Sequence, residues 1–243
     1  KFRYDIIQSF IDENYQINLI GRYDSYENKF NNPNIIKYNI DIDERGYNPF
    51  RELVTFFKIF LVYRKIKTSL IFQFTIKPNL YGSIISRLLN IKSIVFITGL
   101  GSVFIRKKTF LFKIIISFYR IALKKSIQVW FTNSSDLEVF KKLKIISNNH
   151  NTQIVPGCGL DTKFLTNKSK IINKKNILMV ARIQKEKGVL NFLKLSSIHK
   201  NQGFKFILVG EYNHNNPDRV SRHILDQHIS EGDIYYKEYT EDI

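Results

Sequence analysis

The chain has 243 residues, and its 38 lysines and arginines against 21 aspartates and glutamates give a formal net charge of +17. With 44% hydrophobic and 14% aromatic residues, the chain is too apolar to be disordered. A chain of this length can bury enough surface for one large or two modest domains. Cys158 is the only cysteine, so no internal disulfide can form, which is typical of a protein from a reducing, cytoplasmic compartment.

The first residue and the amino-acid bias affect how the length and the net charge are interpreted. The chain opens at Lys1 and contains one methionine, Met179, so we expect a fragment without its translational start. A bias toward Ile, Lys and Asn suggests that part of the positive charge is background, although charge alone leaves nucleic acid or an anionic membrane open as partners. We find no secretory signal in residues 1–13, and the apolar stretch 109–123 is shorter than the roughly 20 residues that span a bilayer.

The first two thirds of the chain alternate short apolar runs with helical patterns, which predicts βαβ units and a mostly parallel sheet. Strands are expected at residues 16–20, 35–40, 70–74, 93–98, 128–132 and 153–155. Helices are expected at residues 3–14, 50–65, 80–89, 110–124 and 135–143.

A second α/β unit is predicted beyond a polar linker. We expect a first domain at residues 1–161, the linker at 162–174 and a second domain at 175–243. The second domain is predicted to contain strands 177–180, 204–209 and 234–236, with helices 189–200 and 217–227. A doubly wound sheet usually has more than three strands. We therefore expect the second domain to be cut short, and the first to lack a strand before Arg3.

The most informative motif lies between a strand and a helix of the second domain, where residues 180–189 read Val-Ala-Arg-Ile-Gln-Lys-Glu-Lys-Gly-Val. Strand ends and helix N-termini in such sheets face a ligand crevice and favour anions. Arg182 can bind two oxygens of a diphosphate while Lys187 adds a point charge, each charge-assisted hydrogen bond contributing about 1.5–3 kcal/mol. A solvated basic loop is the alternative.

This motif resembles the arginine and lysine–glycine motif of family 4 glycosyltransferases, and further segments resemble that family in chain order. They are residues 74–82, 98–104, 133–134, 156–161 with Phe164, 209–210, 216–217 and 242–243. Within the family the chain is most similar to bacterial enzymes that build capsule, O-antigen or lipid-linked oligosaccharide. These include undecaprenyl-diphosphate-linked N-acetylgalactosaminyl transferases, which residues 2–3 and 45–49 also resemble.

The resemblance implies the GT-B fold, with two Rossmann-like, doubly wound parallel-sheet domains, the second truncated here. It also implies retaining transfer of a sugar from a nucleotide sugar, expected to be UDP-linked, to an undecaprenyl-diphosphate-linked or other glycan acceptor. Such an enzyme would serve cell-surface glycan synthesis at the inner face of the bacterial plasma membrane. No metal or organic cofactor is expected, because preorganised cations can stabilise the departing diphosphate.

The resemblance also assigns residues to sites. Arg182 and Lys187 would be the catalytic clamp on the leaving group, and Gly188 and Gly210 would bind the nucleotide with them. The residues assigned to the acceptor are Arg3, Arg45, Thr75, Lys77, Asn79, Thr98, Gly99 and Gly101.

The acceptor assignments have simpler alternatives. Lys77 is the best candidate there for an acceptor phosphate, but Pro78 and Asn79 could merely start a helix. The two glycines could form a plain turn. Arg45 could be a solvated loop residue.

Two departures from the family pattern limit these assignments. The family's Glu-x7-Glu segment, which contacts the donor, would lie beyond Ile243, and its first glycine-rich loop would precede Lys1. Many relatives have a histidine where this sequence has Thr98-Gly99, and no histidine occurs before His150.

Metal binding has weak support in the sequence. Asp41-Ile42-Asp43 resembles the aspartate pair of the other major glycosyltransferase fold, but it sits early in a parallel-sheet domain, which favours a solvated loop. The histidines His199, His214, His223 and His228 are also unpersuasive as metal ligands, because the last two are five residues apart.

Membrane contact is suggested by basic segments 106–108 and 124–125, which flank a helix with Phe110, Phe112, Phe118 and Tyr119. These aromatics could rest at an anionic interface, or the helix could be a core helix with a basic outer end.

Two rival functions stay open. One is a non-catalytic α/β module that binds nucleic acid or membrane through its charge. The chain has no recognisable nucleic-acid motif, so we do not expect a nucleic-acid partner. The other is a GT-B-like sugar-nucleotide epimerase, which would act without a lipid acceptor.

Overall fold

The computed structural model describes residues 3–22, 30–42, 48–101, 104, 109–157, 159, 175–214, 216 and 218–238. The chain divides into two compact units, Lys1–Leu165 and Thr166–Ile243. The predicted linker, residues 162–174, lies outside the described residues.

The first unit alternates strands and helices as the sequence predicts, and the α/β fold class is confirmed. Its strands are β1 (Ile17–Gly21), β2 (Ile35–Asn39), β3 (Leu70–Phe74), β4 (Lys92–Ile97), β5 (Gln128–Phe131) and β6 (Thr152–Ile154). Its helices are α1 (Tyr4–Asp12), α2 (Pro49–Lys65), α3 (Ser83–Leu88), α4 (Phe110–Leu123) and α5 (Ser134–Lys142). Most predicted bounds lie within two residues of these.

All strand pairs of the first unit are parallel. β1 pairs with β2, and β3, β4, β5 and β6 pair in chain order. The register aligns Phe74 with Phe96 and Ile97 with Phe131, so neighbouring strands end at the same edge of the sheet. The loops that follow β3 and β4 are therefore neighbours in space.

Polar side chains start three of these helices. Asn48 accepts a hydrogen bond from the backbone of Phe50 at 3.0 Å and is followed by proline at the first position of α2. Thr109 caps α4 and Asn133 caps α5 in the same way. Such caps typically stabilise a helix by about 1 kcal/mol and fix where it begins.

The segment between β3 and α3 is not a plain helix start. Residues Pro78–Gly82 form one π-helical turn, and Asn79 is buried within it rather than capping the helix. A Cβ atom at Gly82 would lie 2.8 Å from Oη of Tyr63 and 2.9 Å from Nε2 of Gln73. Glycine therefore allows these two buried polar side chains to approach the turn.

The main core of the first unit is aromatic and lies between the sheet and helices α4 and α5. Phe140 is fully buried, and its ring centroid lies 5.2 Å from those of Tyr119 and Phe131. A second cluster, which includes Ile40, Ile59 and Ile85, connects the β1–β2 pair with α2 and α3. Burying each such side chain contributes about 1.5–3 kcal/mol.

The second unit is a three-stranded parallel sheet in the order β7 (Asn176–Val180), β8 (Lys205–Val209) and β9 (Tyr235–Lys237). Its helices are α6 (Val189–His199) and α7 (Arg222–Ser230). Leu193, Phe206 and Leu225 are among its fully buried side chains. These elements place the loop between β7 and α6 at the carboxyl end of the sheet.

One predicted helix begins in a different place. The sequence predicts a helix at residues 217–227, but α7 starts at Arg222. Arg219 forms an antiparallel bridge with Gln184, and the backbone of Val220 donates to Ile183 at 3.2 Å. The backbone groups of Arg219 and Val220 are thus bonded to the β7–α6 loop and cannot form a first helical turn.

None of the helices within the described residues has the length and hydropathy that crossing a bilayer requires.

A buried carboxylate joins the ends of α6 and α7. The Asp233 side chain is 0% exposed, lies 2.7 Å from Nζ of Lys200 and 2.8 Å from Nδ1 of His228, and accepts a hydrogen bond from Ser197. Burial alone would raise the pKa of Asp233, but the bonds from Lys200, Ser197 and His228 lower it to about 2. The ionised carboxylate therefore stabilises the folded second unit.

We expect the Asp233→Asn substitution to lower the free energy of unfolding of the second unit by roughly 1–3 kcal/mol at pH 7, since it removes charge-assisted bonds. The folded pKa of about 2 lies below the ordinary value of 3.8, so the stabilisation is present above about pH 4 and lost as the pH falls toward 2. Urea unfolding of wild type and variant at pH 7 and pH 3 tests this.

Asp226→Asn is the matched control, because Asp226 forms an exposed i,i+4 pair with Arg222. It should change the unfolding free energy by less than about 0.5 kcal/mol. Equal effects of the two substitutions would show that the Asp233 cluster does not stabilise the unit.

Candidate functional site

The first unit has a cavity of about 230 Å³ at the carboxyl ends of β3 and β4. It is lined by Thr75, Ile76, Asn79, Thr98, Gly99, Gly101 and Tyr119. Five of these seven residues are ones that the sequence assigns to the acceptor. The structure brings them together because β3 and β4 are adjacent and parallel.

Thr75 has an unusual backbone conformation. It follows β3 with a φ of 69°, a left-handed conformation that is uncommon for a β-branched residue. Its side chain is exposed, so burial of that side chain does not explain the conformation. Such residues cost about 1–3 kcal/mol and cluster at functional sites.

Asn79 contributes an unsatisfied acceptor to the cavity. Its Nδ2 donates to the backbone carbonyl of Phe96 at 3.1 Å, which fixes the amide orientation because a carbonyl can only accept. Its Oδ1 is buried and receives no hydrogen bond from the described residues. Buried polar atoms are normally paired, so this oxygen is suited to accept from a ligand hydroxyl or a water molecule.

Tyr119 is a cavity residue that the sequence analysis placed elsewhere. The sequence left open whether its helix lies at a membrane interface or in the core, and Tyr119 is 2% exposed and Phe112 is 7% exposed, so both belong to the core. Burial raises the pKa of Tyr119, and the neighbouring Asn79 side chain offsets part of that rise. The sequence signal for this residue is a tyrosine among Ile and Phe on an apolar helix face, because a buried tyrosine hydroxyl usually lies in a polar environment.

The glycines of the β4 loop have a structural reason to be glycine. Gly101 has a φ of 71°, and a Cβ atom there would lie 3.0 Å from Cδ1 of Ile76, which also lines the cavity. Gly101 is therefore required both by its backbone conformation and by the nearby Ile76 side chain. Gly99 and Thr98 lie at the exposed side of the cavity.

Lys77 is not part of the cavity lining. Its Nζ lies 2.6 Å from Oε1 of Glu52 on α2, and these side chains are 11% and 18% exposed. Tyr81 donates to the other carboxylate oxygen of Glu52 at 2.7 Å. The sequence made Lys77 the best candidate for an acceptor phosphate, whereas the structure places its ammonium against a carboxylate.

Arg3 lies over the aromatic rings at the ends of two strands. Its guanidinium carbon is 3.4 Å from the ring centroid of Phe74 and 5.8 Å from that of Phe96. A cation–π contact of this kind holds Arg3 near the edge where the cavity forms. Arg45 lies outside the described residues.

The second unit places Arg182 and Lys187 in the loop between β7 and α6. Both side chains are exposed, and among the described residues neither makes a hydrogen bond or an ion pair. Between them, Ile183 and Gln184 are buried at 1% and 7% exposure. The loop is therefore anchored while its cations project into solvent.

The N-terminus of α6 completes this loop. Gly188 precedes the helix with a φ of 78° and offers no capping side chain. The first N–H groups of an α-helix have no partner within the helix and carry partial positive charge. Together with Arg182 and Lys187, they make this loop suited to a diphosphate.

Gly210 is required by backbone contact. A Cβ atom there would lie 1.8 Å from the carbonyl oxygen of Ala181, so any other residue would force the two strand ends apart. The Gly210 N–H donates to Lys237 at 3.0 Å, and Tyr236 donates to the Gly210 carbonyl at 2.9 Å. Gly210 thus fixes the loop that carries Arg182 beside the end of β8.

Metal ligation was not favoured from the sequence. Among the described residues, His228, Glu231 and Asp233 form one group whose ligand atoms lie within 4.8 Å of each other. Asp233 already holds an ammonium group there, as described above. Asp41 is exposed and lies 3.8 Å from Nε of Arg22, and Asp43 lies outside the described residues.

A larger cavity of about 510 Å³ lies near the end of α4. Its arginine, Arg120, donates to the backbone carbonyls of Leu143 and Lys144 at 2.7 and 3.1 Å. The guanidinium thereby satisfies the two backbone carbonyls that directly follow α5, which is a structural role.

Comparison with solved structures defines the class of fold. Sucrose-phosphate synthase from Thermosynechococcus elongatus superposes with a TM-score of 0.67 at 14% identity, covering 96% of this chain and 62% of the synthase. HepE from Anabaena in complex with UDP gives 0.63 at 14% identity, covering 94% and 70%. S. aureus MnaA with UDP gives 0.57 at 11% identity, covering 93% and 69%. The chain therefore has the GT-B fold and spans less than two thirds of the synthase.

The family follows from the sequence of the first unit. Residues 2–133 match the glycosyl transferase 4-like family, and the chain belongs to that family. Among curated proteins the sequence has no significant match. The expected resemblance to family 4 glycosyltransferases is confirmed.

Thr75→Gly should raise the free energy of unfolding by roughly 1 kcal/mol, because glycine adopts a positive φ without strain. Thermal and urea unfolding measure the change. The control is Thr152→Gly in β6, which has no such strain and should destabilise by up to about 1 kcal/mol. Equal destabilisation by both substitutions would contradict the assignment of strain to Thr75.

Gly210→Ala should destabilise the second unit by about 3 kcal/mol or more, since the contact with Ala181 is between backbone atoms that cannot move independently. Gly232→Ala is the control. Gly232 has a φ of 70° but open space around it, so only the backbone cost of about 1–2 kcal/mol applies. Urea unfolding monitored by tryptic digestion compares the unfolding free energies of the two variants. A smaller destabilisation by Gly210→Ala than by Gly232→Ala would refute the close approach of Gly210 to Ala181.

Proposed function

We propose that this chain belongs to an enzyme that transfers a sugar from a UDP-sugar to a lipid-linked or polysaccharide acceptor. The observation that supports this is the β7–α6 loop, where two exposed cations, Arg182 and Lys187, have no ion pair among the described residues and precede a helix N-terminus without a capping side chain. Solved structures of the same fold contain UDP, as in HepE and MnaA, or UDP-glucose, as in HepE. These bound nucleotides support a UDP-linked donor.

The residues of the second unit would act on the leaving group. Breaking the glycosyl–phosphate bond places negative charge on the departing diphosphate. Arg182 would bind two of its oxygens, Lys187 would add a mobile positive charge, and Gly188 would leave the first N–H groups of α6 accessible. In this proposal the cations supply the charge stabilisation, and the reaction uses no metal or organic cofactor. Retention of configuration is proposed from family membership.

The cavity of the first unit would hold the acceptor. Thr75, Thr98 and Asn79 offer two hydroxyls and an unpaired amide oxygen around a volume of about 230 Å³, which suits a sugar with several hydroxyl groups. Lys77 is omitted from the phosphate-binding role because Glu52 neutralises it. The acceptor phosphate is left to residues outside those described, because the Arg3 guanidinium already lies over the rings of Phe74 and Phe96.

We place the reaction at the cytoplasmic face of the bacterial plasma membrane, in the synthesis of a cell-surface glycan. A lipid-linked acceptor such as an undecaprenyl diphosphate would be presented there. Family membership favours this transfer over the rival functions, an epimerase and a non-catalytic anion-binding module.

Arg182→Ala in the protein encoded by the whole gene should lower transfer at least a hundredfold, because removing one preorganised donor to developing charge typically costs about 3–4 kcal/mol. Arg182→Lys should restore only part of the rate, since an ammonium group cannot bind two oxygens in a fork. UDP release with UDP-sugar donors and an isoprenyl-diphosphate sugar acceptor measures turnover, and calorimetry measures UDP affinity.

Lys194→Ala is the matched control. Lys194 is exposed on α6, so its loss removes the same charge without touching the loop. Unchanged turnover in Arg182→Ala would remove Arg182 from the mechanism. Conversion of the UDP-sugar without acceptor would indicate an epimerase instead.

A further inference from the structure

Helix α2 has a second apolar face that points away from the core of the first unit. Its inward face includes the buried residues Thr55, Ile59 and Tyr63. On the opposite side, five large apolar side chains are 51–82% exposed, which is more than any other described helix carries. They are Phe50, Leu53, Val54, Phe57 and Leu61, and we call them the outward face.

The outward face is continuous along the helix. Its members are spaced i, i+3, i+4, i+7 and i+11, and with 3.6 residues per turn they fall within an arc of about 100°. A helix that packs on a core through one face normally exposes polar residues on the other. A second ordered apolar stripe therefore indicates that something covers it.

The charges on α2 identify what would cover it. The exposed charged residues of the helix are all basic, namely Arg51, Lys58, Arg64 and Lys65. Its one acidic residue, Glu52, faces inward against Lys77. The helix therefore presents bulky apolar groups bordered by four positive charges.

We propose that the outward face of α2 docks on an anionic lipid membrane. Phe and Leu side chains with neighbouring Lys and Arg are the combination that binds a charged bilayer interface, where the apolar groups enter the headgroup boundary and the cations contact acidic lipids. A second copy of the chain fits less well, because a symmetric contact would bring two faces of the same positive charge together.

The docking helix is tied to the cavity of the first unit. Glu52 on α2 binds Lys77 and Tyr81, and Lys77 lies between the cavity residues Thr75 and Asn79 in the chain. Docking through α2 would hold this loop at a fixed distance from the lipid surface. This inference goes beyond the proposed transfer reaction, since vesicle binding requires no sugar donor.

The assignment differs from the expectation that α4 contacts the membrane. Phe110 and Phe118 are 79% and 42% exposed, but Phe112 and Tyr119 belong to the core. The basic segment 106–108 lies outside the described residues. Separate variants of α2 and α4 can therefore show which of the two helices binds the membrane.

The test is co-sedimentation of the whole chain with phosphatidylcholine vesicles, with and without roughly 30% phosphatidylserine. Wild type should bind the anionic vesicles and lose binding at high salt. Phe57→Ser with Leu61→Ser should weaken partitioning at least tenfold, and Lys58→Glu with Lys65→Glu should do the same while leaving the apolar groups in place. Near-ultraviolet circular dichroism checks that each variant is folded.

The control is Leu195→Ser with Ile198→Ser, which removes two side chains of α6 that are 43% and 59% exposed. This variant should bind vesicles as wild type does. Equal binding by the α2 variants, or loss of binding only in Phe110→Ser with Phe118→Ser, would overturn the proposal. So would absence of vesicle binding by wild type, or gel filtration showing that Phe57 and Leu61 hold a dimer that ignores lipid.

Discussion

Glu52 connects the parts of the first unit that matter most for function. One carboxylate receives the ammonium of Lys77 and the hydroxyl of Tyr81, both from the segment between β3 and α3. The pair is largely shielded from water, so removing one partner would leave an uncompensated charge. This contact joins α2 to the cavity loop through the inward side of the helix, and the outward face of α2 lies on the other side.

The two units place cations in different ways. In the first unit, Lys77 is held by a carboxylate and Arg3 by aromatic rings, so their charge is already engaged. In the second, Arg182 and Lys187 project from an anchored loop. A net charge of +17 therefore says little by itself. What distinguishes a candidate anion site is whether the protein has left the cation without a partner.

Much of the fold follows from the sequence because it depends on local patterns. β3 is found at the predicted residues, since a short run that is apolar except for Gln73, between polar segments, has few other solutions. The start of α7 was wrong because Arg219 and Val220 are bonded to residues more than thirty positions earlier. The role of Lys77 was missed for the same reason, as Glu52 lies 25 positions away. Pairing across such distances has no signature in a single sequence.

In an ordinary helix the direction of Asn79 and the face that α3 buries would depend on each other. The π turn at Pro78–Gly82 separates them. In a regular helix each residue's direction is fixed by its neighbours, so turning Asn79 toward the cavity would also rotate the face that α3 buries. A wider turn absorbs that rotation within one segment. The cavity side and the core side of this segment can therefore diverge independently, so a substitution can change what the turn presents to the cavity while the α3 packing stays the same.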